Sequence, residues 1–484
     1  MSPSAGTSLG EGHIRAAQVR PALRRVTVAW MFGAAWLAIT TSPALASFLK
    51  QYLGASDLAY GLISAAAPAA SVCLLLGSYA VERSGQSKPL FLWFGAWQRL
   101  IWLVPAAAPW LLAWLGREVT LVLVALALFI ASATGALGGA GWWVWMSALV
   151  PAHAAGRYFG RRSRIGLVVM VLSTLAAALV FERWPGQGWV YALIFGVAAV
   201  LGTIDILLFI RVPEPSRQVP GEPRPTLSEI LVLPWRDAAW RSTARYIAFA
   251  MLGYAVTNTF IAPFCLAPVS ENGLGLSVLQ TMAILVWLQL LCSAWVAPVW
   301  GRVIDRYGPK SALRASTLAA LVMPIWWFFS HRGGPTWSDT LWLMPASMLF
   351  GGILVGGFDQ AMAYAQLRAF PLHRRSAYVA SFQVLLSLAT MIGSALAGVL
   401  AQWFADILPT ISGRPPWLSH YHLLFVVSFV LRLVAFVTLF ASVPLAGRAG
   451  AVVVYRTVVG DLLRMLGPAA RLSVGGLRVG RPRR

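Results

Sequence analysis

Long apolar runs alternate with short charged gaps along almost the whole of this 484-residue chain. Crossing a bilayer core of about 30 Å takes about 20 apolar residues in a helix. Inside that core the backbone must satisfy its own hydrogen bonds, which selects helices for runs of this kind. The pattern predicts twelve spans: Val26 to Phe48, Ala59 to Val81, Pro89 to Leu115, Thr120 to Val150, Ile165 to Phe181, Gly188 to Ile210, Tyr246 to Pro268, Leu276 to Trp300, Ser311 to Phe329, Leu341 to Leu367, Tyr378 to Phe404 and Leu423 to Val443. Between Val212 and Tyr246 the pattern lapses into a Pro- and Arg-rich stretch, in which Thr226-Leu227-Ser228-Glu229 has the form of a helix start. The chain therefore divides into a tail (1–25), a six-helix bundle (26–211), a linker (212–245), a second six-helix bundle (246–443) and a basic tail (444–484).

The two bundles repeat one another. Gly301-Arg302-Val303-Ile304-Asp305-Arg306-Tyr307-Gly308-Pro309-Lys310 follows the eighth run, and a blurred copy from Ser78 to Lys88 follows the second. There Glu82-Arg83-Ser84-Gly85 replaces Asp305-Arg306-Tyr307-Gly308, Gly77 stands one residue off the place of Gly301, and Lys88 lies farther on than the place of Lys310. Pro151, His153 and Tyr158 recur as Pro371, His373 and Tyr378, and Gly138-Gly139 as Gly356-Gly357. Matches in one order at nearly one offset mark an internal duplication.

Composition agrees with the pattern: 58% of residues are hydrophobic, 11% are charged, and the mean hydropathy is +0.71. These values describe an all-α polytopic membrane protein rather than a soluble domain. The net charge of +22 would suit nucleic acid if the charges were clustered on a soluble face, but 31 of the 38 Lys and Arg fall in the tails and alternate gaps. That bias sets both termini and the linker on the cytoplasmic side of a cell inner membrane and leaves no role for nucleic acid. Arg15, Arg20, Arg24 and Arg25 precede a full-length span without a small-residue cleavage site, so the first residues read as a tail and not as a removed signal peptide. Cys73, Cys265 and Cys292 lie inside apolar runs and suggest no disulfide framework.

Polar residues within the runs are the candidate chemistry. Thr40, Thr41 and Ser42 precede Pro43, where hydroxyls either satisfy the carbonyls that proline frees or face a solute; both readings stand. Asn258-Thr259 occupies the matching depth in the seventh run, and Gln289 lies in the eighth. Asp359 follows Gly356-Gly357 in the tenth, and Gln383, Ser387 and Thr390 are spaced at helical intervals in the eleventh. Arg99, Asp205 and Arg432 are charges within the third, sixth and twelfth runs, where each needs a partner, a wet cavity or the nearer interface. Trp142, Trp143 and Trp145 fit an interfacial aromatic belt. On the outer side, the acids Asp57, Glu118, Glu182, Glu271, Asp339 and Asp406 are isolated in sequence, and His420 and His422 alone make a poor metal site. No Gly-rich nucleotide-binding loop is present, and no cofactor is expected.

Twelve runs in two related sixes, with the charged turn after the second and the eighth, resemble the major facilitator superfamily. Gly301, Asp305, Arg306, Gly308 and Lys310 meet that family's loop pattern in full, whereas the first copy meets it only in part. The segment from Trp145 to Arg164 also resembles a subgroup of uncharacterised bacterial members. The resemblance implies the major facilitator fold, two six-helix pseudo-symmetric bundles with a solute site near the midplane, lined by spans 1, 4, 7 and 10 with help from 2, 5, 8 and 11. It implies a cytoplasmic gate at Glu82, Arg83, Gly301, Asp305, Arg306, Gly308 and Lys310. In that gate Asp305 or Glu82 accepts from amides at a neighbouring helix N-terminus, the arginines pair across the interface, and Gly301 lets helices approach; simple topology-setting charge is the alternative. Asp359 leads the candidates for proton or solute binding, with Asn258, Thr40, Thr41 and Gln383 behind it. Arg99, Asp205 and Arg432 fall on peripheral spans, where structural pairing is expected.

The reading that follows is secondary active transport of a small organic solute by alternating access, with proton coupling open and export slightly favoured; a monomer is the default, and the basic tail either lies on anionic lipid or reflects positive-inside bias alone. Two alternatives remain: a sensor or assembly factor that uses the fold without transport, and a polytopic membrane enzyme, for which the isolated loop acids offer little.

Overall fold

The computed structural model describes residues 16–214, 227–333, 338–364 and 375–465. Within them the chain is helical, and eleven helices are long and apolar enough to cross a membrane. In the first half these are span 1 (Gln18–Tyr52), span 2 (Asp57–Val81), span 3 (Lys88–Leu115), span 4 (Arg117–Leu149), span 5 (Arg157–Arg183) and span 6 (Gly188–Phe209). In the second half they are span 7 (Ala238–Leu266), span 8 (Val278–Tyr307), span 9 (Pro309–Phe328), span 11 (Tyr378–Thr410) and span 12 (His420–Ser442). Span 10 completes the expected set as two shorter pieces, Leu343–Leu354 and Gly356–Tyr364. The break falls beside Gly356-Gly357, where poor helix formers weaken the ladder.

Local chemistry sets the ends. Ser56 Oγ accepts from Ala59 N (3.1 Å) at the start of span 2, and Ser277 and Gln280 form a capping box at the start of span 8. Asp237 accepts from Ala239 N (2.8 Å) and Trp240 N (3.1 Å), so span 7 starts well before Tyr246 and takes in Arg241 and Arg245. The linker contains a helix, Leu227–Arg236, at the expected start; Thr226 itself lies outside the described residues. The helix of span 1 begins at Ala16, inside the expected tail, because Ala22 and Val26 face the protein while Arg20, Arg24 and Arg25 face outward. Between spans 8 and 9, Gly308 sits at φ +81, a conformation in which a side chain is strained, and Pro309 follows as the first helical residue.

The ends carrying the Lys/Arg-rich loops, which the charge bias of the sequence predicts to be cytoplasmic, are called the inner ends. There the duplication acquires a structural meaning. Lys88 Nζ donates to Ile210 O and Val212 O (both 2.8 Å) at the end of span 6. Lys310 Nζ donates to Ala441 O (3.2 Å) and Val443 O (2.6 Å) at the end of span 12. Each turn lysine thus covers the orphan carbonyls and negative dipole end of the last span of its own half. Glu214 takes the other pole of the first turn, accepting from Ser87 N (2.7 Å) and Lys88 N (2.9 Å).

Span 1 packs on spans 5 and 6, and span 3 on spans 4 and 6; span 7 packs on spans 11 and 12, and span 9 on spans 10 and 12. Across the halves, span 2 lies along span 11, and the outer end of span 5 meets the start of span 8. One apolar cluster, holding Phe48, Tyr60, Phe195, Phe260, Phe264 and Tyr421, joins both halves at the outer end. Toward the inner end the core divides into a cluster around Trp145 and Phe209 in the first half and one around Trp300 and Phe382 in the second. Leu75 and Val384 form a small bridge between them. The molecule is therefore closed outside and parted inside.

After span 12, the helix Ala451–Met465 docks on spans 8 and 9 through buried Val454, Val458 and Leu462. Tyr455 Oη donates to Ala315 O (2.6 Å), and burial pushes its pKa up to about 12. Asp461 pairs with Arg302 at 3.1 Å. Val452, Val453 and Val459 stay exposed on the opposite face beside Arg456, an arrangement compatible with a lipid surface.

The outer closure rests on a close backbone approach. A Cβ added at Gly398 would lie 2.9 Å from Gly61 Cα and 3.1 Å from Leu58 O, and one at Gly61 would press on the Gly398 backbone. Gly398→Val therefore holds spans 2 and 11 apart. With the native cysteines replaced, a Ser64→Cys probe on the cavity wall should become several-fold more reactive to an impermeant thiol reagent from outside. Unchanged labelling would show that this contact does not set the closure.

Candidate functional site

Span 1 is interrupted where its hydroxyls cluster. The α-helix stops at Thr40 and resumes at Pro43. Thr40 Oγ1 donates to Trp36 O (2.9 Å), Thr41 Oγ1 to Leu37 O (2.7 Å), and Ser42 Oγ to Ile39 O (2.8 Å), the carbonyl that Pro43 leaves without a donor. Satisfying backbone and facing a solute are not exclusive here. Thr40, Thr41 and Ser42 also line a cavity of about 490 Å³ between the halves, with Trp36, Trp102 and Asn258 on its wall.

A second cavity of about 410 Å³ lies within the second half. Asn258 and Leu285 belong to both walls, so the two cavities adjoin. Asp359 lines the second one, with its side chain open to the space and, among the described residues, no hydrogen bond or ion pair. Gln289 lies on the same wall. Gln383 stands on span 11 outside both walls. The fold thus brings Asp359, Asn258, Thr40 and Thr41 to one connected space and leaves Gln383 aside.

The charges expected to be structural divide. Arg99 Nη2 and Asp205 Oδ2 pair at 3.1 Å, both buried, and the guanidinium stacks 3.7 Å from the Trp36 ring centroid and also meets Gln98. This is the expected structural pair; removal of one partner would leave a buried charge, at a cost of roughly 3–5 kcal/mol. Arg432 departs from the peripheral placement expected of span 12. It is 2% exposed, stacks 4.0 Å from the Tyr254 ring centroid, donates to Ala320 O (3.0 Å), and lines the Asp359 cavity. A long side chain explains the difference: the backbone is peripheral, but the guanidinium reaches inward.

At the inner ends the gate residues are apart. Asp305 is exposed and has no hydrogen-bond partner among the described residues, Arg306 lies 5.2 Å from the Tyr307 ring centroid, and a Cβ at Gly301 would meet nothing within 4 Å. The helix approach expected at Gly301 is absent from this inwardly parted arrangement. Arg83 is exposed and interacts with its surroundings, Gly308 makes the turn, and Lys310 is engaged within its own half. The position of the Glu82 side chain lies outside the described residues.

The group that the sequence concealed lies at the outer ends. Asp57, isolated in sequence, is buried and accepts from Lys50 Nζ (2.7 Å) and from Tyr421 Oη (3.2 Å) at Oδ1, while His420 Nε2 stands 3.0 Å from its Oδ2. Lys50 also donates to Ala55 O (3.1 Å). The reading of Asp57 as isolated is therefore corrected: His420 and Tyr421 come from more than 360 residues away and meet it only in the fold. Gln51 Nε2 to Leu266 O (2.9 Å) and Trp287 Nε1 to Thr174 Oγ1 (2.8 Å) are further bonds between the halves. His422 is engaged structurally, accepting from Ser419 N (3.0 Å) at Nδ1 with Nε2 3.2 Å from Ser330 O.

Residues 247–470 match the family model described as Major Facilitator Superfamily. Among curated proteins, the multi-drug resistance efflux pump PmrA homolog of Lactococcus lactis subsp. lactis (strain IL1403) is 29% identical over 150 residues. That alignment spans 30% of this chain and about a third (34%) of the relative's length. Among solved structures, a bacterial homolog of the human lysosomal transporter Spinster, in an inward-facing and unoccupied conformation, aligns with a TM-score of 0.64 at 13% identity, over 93% of this chain and 99% of that one. The nucleoside transporter NupG aligns with a TM-score of 0.62 at 14% identity, over 87% and 99%. At these identities the structural likeness establishes the fold.

The Asp57 cluster ties spans 2 and 12 across the closed end, so Asp57→Asn should release it. Truncating a buried hydrogen-bonded charge pair commonly costs 2 kcal/mol or more; with Lys50 partly exposed, roughly a tenfold shift toward outer opening is expected. Pulsed EPR between labels at Leu58 and Val269 should show a longer distance gaining population in the variant. An unchanged distribution would mean that the cluster does not hold the closure.

Proposed function

We propose that this chain, a transporter of the Major Facilitator Superfamily and a multi-pass membrane protein, carries a small organic solute across a bacterial plasma membrane by alternating access. Both ends of the chain then face the cytoplasm, as the charge bias of the loops favours. The observation that carries the proposal is the pair of adjoining cavities beneath a closed outer end, with an unpaired carboxylate, Asp359, open to one of them. A closed end over a central space is one half of an alternating-access cycle; the parted inner ends supply the exit or entry for the other half.

The lining favours a solute with an apolar body. Trp36, Leu37, Tyr60, Trp102 and Leu128 surround the first cavity, and polar atoms are few and specifically placed, as in small-molecule sites generally. An ionisable group inside the membrane and open to a cavity is best read as functional, and Asp359 is the proposed proton-coupling or cation-binding carboxylate. Asn258, shared by both walls, and the hydroxyls of Thr40 and Thr41 contribute orienting hydrogen bonds. Export is the favoured direction, supported by the efflux pump among the relatives.

Proteoliposomes with an imposed pH gradient, screened with lipophilic cations, amino acids and sugars, test this reading. Gradient-driven flux of at least one class is expected in the wild type and should fall by tenfold or more in Asp359→Asn. Flux that survives the substitution removes Asp359 from coupling and leaves the carrier. Absence of flux for every class, with both proteins correctly inserted, would favour a non-transporting sensor.

A further inference from the structure

Comparison of the two halves turns up an incomplete site. Trp36 in span 1 and Tyr254 in span 7 each stand four residues before the matched pair Thr40 and Asn258. Each carries an arginine on its ring, Arg99 at 3.7 Å and Arg432 at 4.0 Å. The arginines arrive from different spans, 3 and 12, so the arrangement is a convergence on one repeated position. In the first half the guanidinium is paired with a carboxylate, Asp205 Oδ2 at 3.1 Å from Nη2, although its Nε has no hydrogen-bond partner among the described residues. In the second half no carboxylate among the described residues takes that place: Arg432 Nη1 has Ala320 O, but Nε and Nη2 are buried without a hydrogen-bond partner there. The hydroxyl of Tyr254, beneath it, is likewise buried and unpartnered.

Three N–H or O–H groups without acceptors in a low-dielectric setting are costly, about 1–3 kcal/mol for each unmet group and more for charged ones. Arg432, Tyr254 and Asp359 all line one cavity, yet no ion pair joins the arginine to the acid. The space therefore has a donor-rich cationic pole and an acceptor-only anionic pole, held apart. Apart from Asn258 and Gln289 its remaining wall is apolar, with Met251, Ile261, Met323, Trp327, Met348 and Phe358.

We infer that the second-half cavity binds a small zwitterionic solute, its carboxylate taken by Arg432 and Tyr254 and its ammonium by Asp359, with the apolar body against the methionine and aromatic wall. The inference rests on the transport reading and deepens it by naming a substrate class. A planar guanidinium presents paired donors that match the two oxygens of a carboxylate. Tyr254 contributes one more O–H to the same anion. The solute's carboxylate stands in the second half where Asp205 stands in the first. Because the charges of a zwitterion match those of the site, binding leaves the cavity electrically neutral, as burial within a membrane demands. The 410 Å³ available is within the range of small-molecule pockets and admits an amino-acid-sized solute with a bulky side chain. A slight swing of the guanidinium from its Ala320 bond would bring Nε and Nη2 to the ligand, at the cost of one neutral acceptor in exchange for a charged one.

Two matched sets of probes test this on the detergent-solubilised full chain by tryptophan fluorescence, with Trp327 on the wall as reporter. The first is L-phenylalanine, 2-phenylethylamine and 3-phenylpropionate; the second is L-leucine, isoamylamine and 4-methylpentanoate. In at least one set the zwitterion should bind tenfold or more tightly than either truncated member. Arg432→Gln should abolish that preference by removing the carboxylate term, so that the amino acid binds no better than the amine. Tyr254→Phe, close to isosteric and safe for folding, should weaken the zwitterion about three- to tenfold and leave the amine unchanged. Arg432→Lys should restore only part of the affinity, since it lacks the fork. If in both sets the amine binds as tightly as its amino acid, carboxylate recognition is excluded and the proposal fails, while transport of cationic solutes through Asp359 stands. If no amino acid binds, the proposal fails likewise, and the pH-gradient flux assay decides the transport reading separately.

Discussion

A charge withdrawn from water must meet an opposite charge or a set of donors and acceptors, and in a chain that is only 11% charged this requirement organises the molecule. Lys88 and Lys310 meet it at helix C-termini, where they lock spans 6 and 12 to the turns of their own halves. Arg99 and Asp205 meet it by pairing inside the first bundle. Asp57 meets it by drawing Lys50, His420 and Tyr421 together across the outer end. Arg432 and Asp359 face one cavity with no charged partner among the described residues. Charges that are already matched stabilise; unmatched ones beside an open space are available to a solute.

The same rule separates what moves from what is rigid. Within each half, lysine caps, aromatic contacts such as Phe91 with Phe209 and Tyr246 with Phe440, and the arginine stacks make a body that can turn as a unit. Between halves the contacts are of another kind: two glycines allowing helix backbones to touch, a shared apolar cluster and a few hydrogen bonds at the outer end. Such an interface commits few charges, which suits the opening required by the proposed alternating-access cycle. The charged turns at the inner ends, with Asp305 unpartnered among the described residues, would be available for the opposite closure of the proposed cycle.

Much of this was legible in one dimension. The apolar runs gave the spans, except that span 10 divides at its glycines and that spans 1 and 7 reach farther inward than hydropathy alone suggests. Those extensions are amphipathic turns, with small or aromatic residues such as Ala22 and Trp240 facing the protein and arginines facing out, and a window that averages hydropathy passes over them. Asp359 and Asn258 stood out because a polar residue in an apolar run needs a partner or a cavity, and both line a cavity. The outer cluster was not legible, since Asp57, His420 and Tyr421 are unremarkable where they occur. Arg432 was misplaced for a related reason: a span's position in the bundle says where its backbone runs, not how far a six-atom side chain reaches.

By itself, then, the sequence determined that the chain is a duplicated bundle of membrane helices, where the turns lie and which end is basic, because those properties depend on local apolar content, repeat offset and charge bias. Tertiary structure alone decided which charges found partners, which end is closed and where the cavities lie. These depend on distances between residues far apart in the chain, as between Arg99 and Asp205 or Asp57 and Tyr421, and no periodicity in the sequence encodes them.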